Sequence, residues 1–249
     1  MWWRCTFFWC PRFRQISLGS RKIFLQFDAK FSMKNRETRL ILILFVCFLY
    51  VSFPAVAAVS VSDDGDIIVS GLIDRQLVEE FRAILNQSKG DTRRKVVFDQ
   101  SLGGLVGSSA TLAILIEGNG LNTVARRQCS SGCALAFLAG RHRTVDTRQF
   151  PVVIGFHNAY KKDGTPTDDP ANLMKRLDYY TKRRLTGEIR DLIYGATSPA
   201  RGILFIFEKT GSNTPDSVRY CDERADSNPD NCRVLAGVDA RSMGIIDER

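Results

Sequence analysis

The segment CSSGCALAFLAG, residues 129–140, constrains the fold more than any other stretch of the chain. A polar turn with a glycine runs straight into Ala134–Ala139, which is apolar on every side. A helix apolar all round has no face to turn to water and must be buried. The chain therefore needs layers on both sides of it, and its flanking patterns supply them. Residues 59–71 alternate around an Asp-Gly turn and read as a strand or hairpin entry. Asp74 caps a helix to about Gln87, with Leu77, Phe81, Ile84 and Leu85 on one face. Residues 95–99 are a short buried strand ending in the turn signal QSLGG. A mostly apolar helix over 108–116 is stopped by Gly118 and Gly120, and 122–127 form a further strand. Strands follow at Arg143–Val145 and Val152–Phe156, then a polar loop at Thr165–Pro170. One long amphipathic helix is expected over 171–194, and a short apolar helix or strand over Ile203–Phe207. The ending VDARSMGIID reads as a helix turn, a glycine stop and a final strand. Alternating strands and helices point to an α/β fold with a largely parallel sheet.

The stretch before this body is of a different kind. From Met33 the chain reads MKNRETR, then LILILFVCFLYVSF, then PAVAA. A basic start, an apolar stretch and a small-residue end are the three parts of a secretory signal peptide. Ala55 and Ala57 fit cleavage after Ala57, and cleavage after Ala58 is the neighbouring option. An uncleaved membrane anchor is the alternative, because the apolar stretch is nearly long enough to span a bilayer. Residues 1–32 are aromatic and basic without periodicity. Translation is therefore expected to begin at Met33, with 1–32 an over-extended gene start. The expected organisation is that extension, a signal peptide or anchor over 33–57, and one domain over 58–249. The protein would then be periplasmic or secreted, touching the membrane only through an uncleaved leader.

The formal charge of +8 does not make a nucleic-acid protein of it. Nine of the 35 Lys/Arg but only two of the 27 acids lie in 1–57, so the body is close to neutral. The cluster Lys182, Arg183, Arg184 reads as a solvated helix face. No electrostatic footprint for DNA or RNA remains.

Of the seven cysteines, Cys5, Cys10 and Cys47 go with the leader. Cys129, Cys133, Cys221 and Cys232 remain, and an even number in an exported domain suggests two disulfides. Proximity favours Cys129–Cys133 and Cys221–Cys232. A four-cysteine zinc site is the alternative, but the short C-x-x-C pairs of a ribbon site are missing. With no P-loop, dinucleotide fingerprint or His-rich motif, neither cofactor nor metal is expected.

Three features carry chemistry. Gly103–Gly104 end a buried strand, where glycine can turn N–H groups toward an oxyanion. Ser131 stands at the start of the buried helix, where developing negative charge is favoured. The N–H of Gly132 would be a second oxyanion donor. Taken alone, a serine there is more simply a helix cap. His157, one of two histidines, ends an apolar strand and suits a general base.

In that order the three resemble the proteolytic subunit of the Clp protease and its relatives in the crotonase superfamily, over roughly residues 65–249. Ser131-Gly132-Cys133 followed by ALAFLAG looks like the family's nucleophile segment, and Arg141 and Arg143 follow it as basic residues commonly do there. DARSMGIID looks like the family's closing motif. The resemblance implies a layered ββα superhelix that forms homo-oligomers, trimers or heptameric rings. It implies a serine peptidase acting on a peptide or protein, with Ser131 as nucleophile, His157 as base, and Gly103 and Gly132 as oxyanion donors. The chain departs from the pattern in QSLGG, where the family has Asn-Ser-Pro-Gly-Gly, and in Cys133, which replaces a glycine. The third catalytic residue falls near Cys232: Asp230 is a candidate, and a Ser–His dyad is the alternative. A catalytically inactive binding or scaffold protein of the same fold is the competing reading. A Cys–His hydrolase using Cys129 or Cys133 is a third.

Overall fold

The computed structural model describes residues 58–87, 94–161, 163–165, 167, 170–196, 198, 201–213, 215–222 and 231–247. The expected extension and leader, 1–57, lie outside them. Among the described residues no helix is long and apolar enough to cross a membrane.

The chain opens as the Asp-Gly turn dictates. Strands β1 (Ala58–Val61) and β2 (Ile67–Ser70) pair antiparallel. The turn closes through Gly65 N–H donating to the Ser62 carbonyl at 2.9 Å. A short β3 (Leu72–Ile73) leads to α1 (Arg75–Gln87). Asp74 caps this helix, its Oδ1 accepting from Leu77 N–H at 2.9 Å. The same ββα unit then repeats with β4 (Lys95–Ser101), β5 (Gly103–Gly104) and α2 (Val106–Gly118). After it come β6 (Asn122–Ser130), α3 (Gly132–Leu138), β7 (Arg143–Val145) and β8 (Val152–Phe156). Helices α4 (Pro170–Tyr180) and α5 (Gly187–Tyr194) precede β9 (Gly202–Phe207), β10 (Ser217–Cys221) and β11 (Arg233–Val234).

The main sheet has the order β1-β2-β4-β6-β8-β9-β10-β11, with β7 beside the first half of β6. Strands β2, β4, β6 and β8 are parallel, while β8 to β11 run antiparallel in succession. The short β3 and β5 pair with each other in a second, parallel sheet. Repeated ββα units with two strand layers are the layered α/β architecture expected. The largely parallel sheet is corrected to a mixed one. Polar runs such as SVRYC at β10 gave no strand signal of their own; they pair because β9 offers an edge.

The core forms where helices meet the parallel strands. Phe98 of β4, Leu77 and Phe81 of α1, Leu112 and Ile116 of α2, and Phe137 of α3 are fully buried. Each such side chain contributes about 1.5–3 kcal/mol relative to exposure. The apolar run is buried as its composition requires: Ala134, Ala136, Phe137 and Leu138 have no exposed surface.

Two expected elements differ. The single helix over 171–194 is broken, because Lys182 and Arg183 take φ of 52° and 58°. Residues in that left-handed region cannot continue a right-handed helix. Thr186 then caps α5, accepting from Ile189 N–H at 3.3 Å. The cluster 182–184 is thus a turn rather than a helix face. The expected final strand is also absent: residues 240–244 are turns and 245–247 form no strand. The end is held instead by Asp247, whose carboxylate accepts from the Arg143 guanidinium at 2.9 Å and from its backbone N–H at 3.0 Å. Of the two options for Ile203–Phe207, helix or strand, the strand forms.

Candidate active site

Strands β4 and β6 both kink just before the residues of interest. Gln100 and Arg127 have φ of 61° and 63°, and the register slips between Asp99 and Ser101. Such a bulge re-aims the residues beyond it. Arg127 grips Asp99 with two hydrogen bonds, one of 2.7 Å from Nη2, and so ties the two kinks together. Past the kinks, Gly103 comes against the Ser131 turn. A Cβ at Gly103 would lie 2.6 Å from the Ser130 carbonyl oxygen and 2.8 Å from Ser131 Cβ, and its φ is +93°. Only glycine fits this approach.

Ser131 sits between β6 and α3 with φ 58° and ψ −126°. An L residue there costs about 1–3 kcal/mol, and such strain concentrates at functional sites. Some serine hydrolases expose their nucleophile on a strained strand-to-helix turn. Its backbone is held on both sides: Ser131 N–H donates to Gly155 O of β8 at 2.8 Å, and Ser131 O accepts from Leu135 N–H at 3.3 Å. Its side chain makes no capping hydrogen bond. The simpler interpretation of this serine as a helix cap therefore fails.

The disulfide Cys129–Cys133 straddles that turn, and Cys221–Cys232 is the second bridge. Both pairings are the ones proximity favoured, and they fit an oxidising compartment. With Cys129 and Cys133 oxidised, neither offers the thiolate that a Cys–His hydrolase needs. Among the described residues no His/Cys/Asp/Glu group is arranged to hold a metal.

Ser131, Gly132 and His157 border one cleft of about 510 Å³, together with Gly104. Its walls are largely apolar, with Leu72, Leu105, Val106, Leu135, Phe156 and Ile193 among them. Gly103 lies behind this surface, and its N–H donates to Ser101 Oγ at 3.2 Å. Gly104 is the glycine of the pair that borders the cleft. Its nitrogen lies 3.5 Å from where a Gly132 Cβ would stand. Behind Gly132, the Ser109 hydroxyl is buried without a hydrogen-bond partner among the described residues.

His157 follows β8. Its Nδ1 lies 2.7 Å from the Asn158 backbone carbonyl oxygen. A carbonyl only accepts, so Nδ1 carries the proton and Nε2 is left as the basic nitrogen. Burial pushes the imidazole below its ordinary value, and this carbonyl opposes the shift in part. Asn158 is itself anchored: its Nδ2 donates to Tyr194 O at 3.2 Å, and its Oδ1 accepts from Ala159 N–H at 2.8 Å. The Tyr160 ring stacks beside the imidazole at 5.4 Å. Asp230, the candidate third residue, lies outside the described residues.

A larger polar groove of about 980 Å³ is bordered by Lys95, Arg126, Asp146 and Arg148. There Arg148 and Arg126 hold the Asp146 carboxyl down at about 2. The groove contains no histidine and no cysteine among the described residues.

Sequence reasoning passed over Gly104, Asn158, Ser109 and Arg176, the last of which also borders the Ser131 cleft. Gly104 was visible as half of the Gly-Gly pair. The role of Asn158 lies in a backbone carbonyl, which has no sequence signature.

No family model matches the sequence, and no curated protein matches it. Solved structures similar to the chain include ClpP structures. A mutant ClpP1 from Listeria monocytogenes is 14% identical with a TM-score of 0.45, covering 73% of this chain and 88% of that one. The ClpP catalytic domain from Plasmodium falciparum gives 14%, 0.45, 73% and 82% for the same quantities. ClpP1 from Listeria monocytogenes gives 13%, 0.44, 73% and 88%.

Proposed function

We propose that the protein is an exported serine hydrolase of the peptidase kind, with Ser131 as nucleophile and His157 as general base. One observation carries this reading: an uncapped serine on a strained turn shares a cleft with a histidine whose tautomer leaves Nε2 basic. Ser131 Oγ attacks the acyl carbon of a peptide bond while its proton passes to Nε2 of His157. The N–H groups of Gly104 and Gly132 face the resulting oxyanion. Collapse of that intermediate expels the amine, which takes the proton from His157, and leaves an acyl-enzyme. Water activated by the same nitrogen then releases the acid. In this reading the Asn158 carbonyl does the orienting that a carboxylate does in a triad.

Export rests on the leader motif over 33–57 and is supported by the two disulfides. A homo-oligomer is part of the same proposal. The competing reading, an inactive binding protein of this fold, is favoured by one observation: no carboxylate among the described residues bonds to His157.

Labelling with a fluorophosphonate probe separates the two. Wild type is expected to label at Ser131, and both Ser131→Ala and His157→Ala to abolish it. A folded wild type that stays unlabelled in every oligomeric fraction would overturn the hydrolase reading in favour of the binding protein.

A further inference from the structure

The cleft holds one group that this chemistry does not use. Among the described residues no Asp or Glu borders it, and the one Lys or Arg that does is Arg176 of α4. Asn172 and Arg176 are four residues apart and both border the cleft, as does Leu177. One face of α4 is therefore turned toward it. Arg176 is half-buried and makes no ion pair with a described residue. One acid of α4 and one of α2 have partners of their own, although Asp178 Oδ1 has none among the described residues. Asp178 accepts from Arg190 at 3.0 Å, and Glu117 accepts from Tyr179 at 2.5 Å and from Tyr180 at 3.4 Å.

A guanidinium keeps its charge at any working pH and offers a planar fork of donors matched to a carboxylate. Drawn partly out of water beside apolar walls, it has among the described residues no ion-pair partner to compensate its lost hydration. A bound substrate would withdraw it further, and a carboxylate on that substrate would compensate the loss.

We propose that Arg176 is the carboxylate-binding residue of this cleft, selecting peptides that combine apolar side chains with a carboxylate. The carboxylate is an acidic side chain or a free C-terminus; both present the same fork-matched group. The inference rests on the hydrolase reading, because it places the peptide in the Ser131 cleft.

The test uses full-length Ser131→Ala protein, which binds without turnover. Four fluorescein-labelled peptides share one leucine-rich sequence. The first pair differs only in a free or amidated C-terminus. The second pair is amidated and differs only by Glu or Gln at one position. Binding is read by fluorescence polarisation. One of the two acidic peptides is expected to bind about tenfold or more tightly than its neutral partner, as a charge-assisted pair does. Which one identifies the source of the carboxylate. Adding Arg176→Gln should erase that gap and leave the neutral peptides unchanged, and Arg176→Lys should restore part of it. Equal binding within each pair, or a gap that survives Arg176→Gln, would overturn the proposal. So would a variant whose only change is a smaller oligomer, since Arg176 would then serve a subunit contact. Fluorophosphonate labelling of wild type distinguishes the two failures. If wild type labels while the peptides of each pair bind Ser131→Ala protein equally, only the carboxylate site falls. If wild type itself does not label, the hydrolase reading falls.

Discussion

The two disulfide-closed segments are built from the same bond and do different work. Cys129 and Cys133 are four residues apart, fully buried, and part of the main core. Cys221 and Cys232 are eleven apart, at the β10 end of the sheet, and pack in a small cluster of their own with Leu204. Loop-closure entropy favours the wider bridge: about 3 kcal/mol against about 2 kcal/mol for the tight one. By that measure the wider bridge, which does not border the cleft, matters more. Yet only the tight one encloses Ser131, where about 1–3 kcal/mol of backbone strain must be held in place. Closing a long loop stabilises the fold as a whole, while closing a short one fixes a conformation.

The rate of fluorophosphonate labelling at Ser131 puts numbers on this contrast. Replacing Cys129 and Cys133 together by serine is expected to slow labelling about 100-fold, the cost of displacing a reacting atom by about an ångström. An unchanged rate would mean that the bond from Ser131 N–H to Gly155 O holds the turn unaided. Gly202→Ala should act from the other side. A Cβ there would lie 2.2 Å from Phe156 O and 3.0 Å from His157 Cβ. It should cost about tenfold in labelling by shifting the base. Replacing Cys221 and Cys232 together is expected to leave labelling within about twofold while lowering the unfolding free energy by about 3 kcal/mol in denaturant titration. A large loss of labelling there would break the contrast.

The smallest effect is in the pH profile. Burial lowers the His157 value below the ordinary 6.5, so the imidazole stays neutral further into acid. The acid limb of labelling should have its midpoint below 6.5. The same shift makes the unfolded chain bind more protons than the folded one between the depressed value and 6.5. Stability from this group is therefore full above that window and is lost as the pH falls through it. A limb centred above 6.5 would show that a carboxylate faces the ring after all.

Much of this was legible in the sequence where a pattern has a single physical solution. The apolar run Ala134–Ala139 had to be buried, Asp74 had to cap α1, and the cysteines nearest in sequence paired. Ser131 and His157 stood out by residue type and place, and the fold brings them to one cleft. The features that escaped depend on backbone geometry or on distant partners. Nothing about Lys182 and Arg183 announces a left-handed turn, although Thr186 was a readable cap signal for α5. Gly103 and Gly104 are identical in sequence; only the pairing of β5 with β3 decides which one borders the cleft. Arg176 looked like any helix-surface arginine until the fold placed its face against apolar walls.

The bond between His157 and the Asn158 carbonyl has a practical consequence. Every residue carries a carbonyl, so no side-chain substitution at position 158 deletes this one. In the proposed mechanism an alanine scan removes the Ser131 and His157 side chains, whereas at position 158 it removes only the anchors to Tyr194 and Ala159 and not the carbonyl, which is inherited from the path of the main chain. Sequences that keep that path can drift freely in their acids around the histidine and still hold its proton on the same nitrogen.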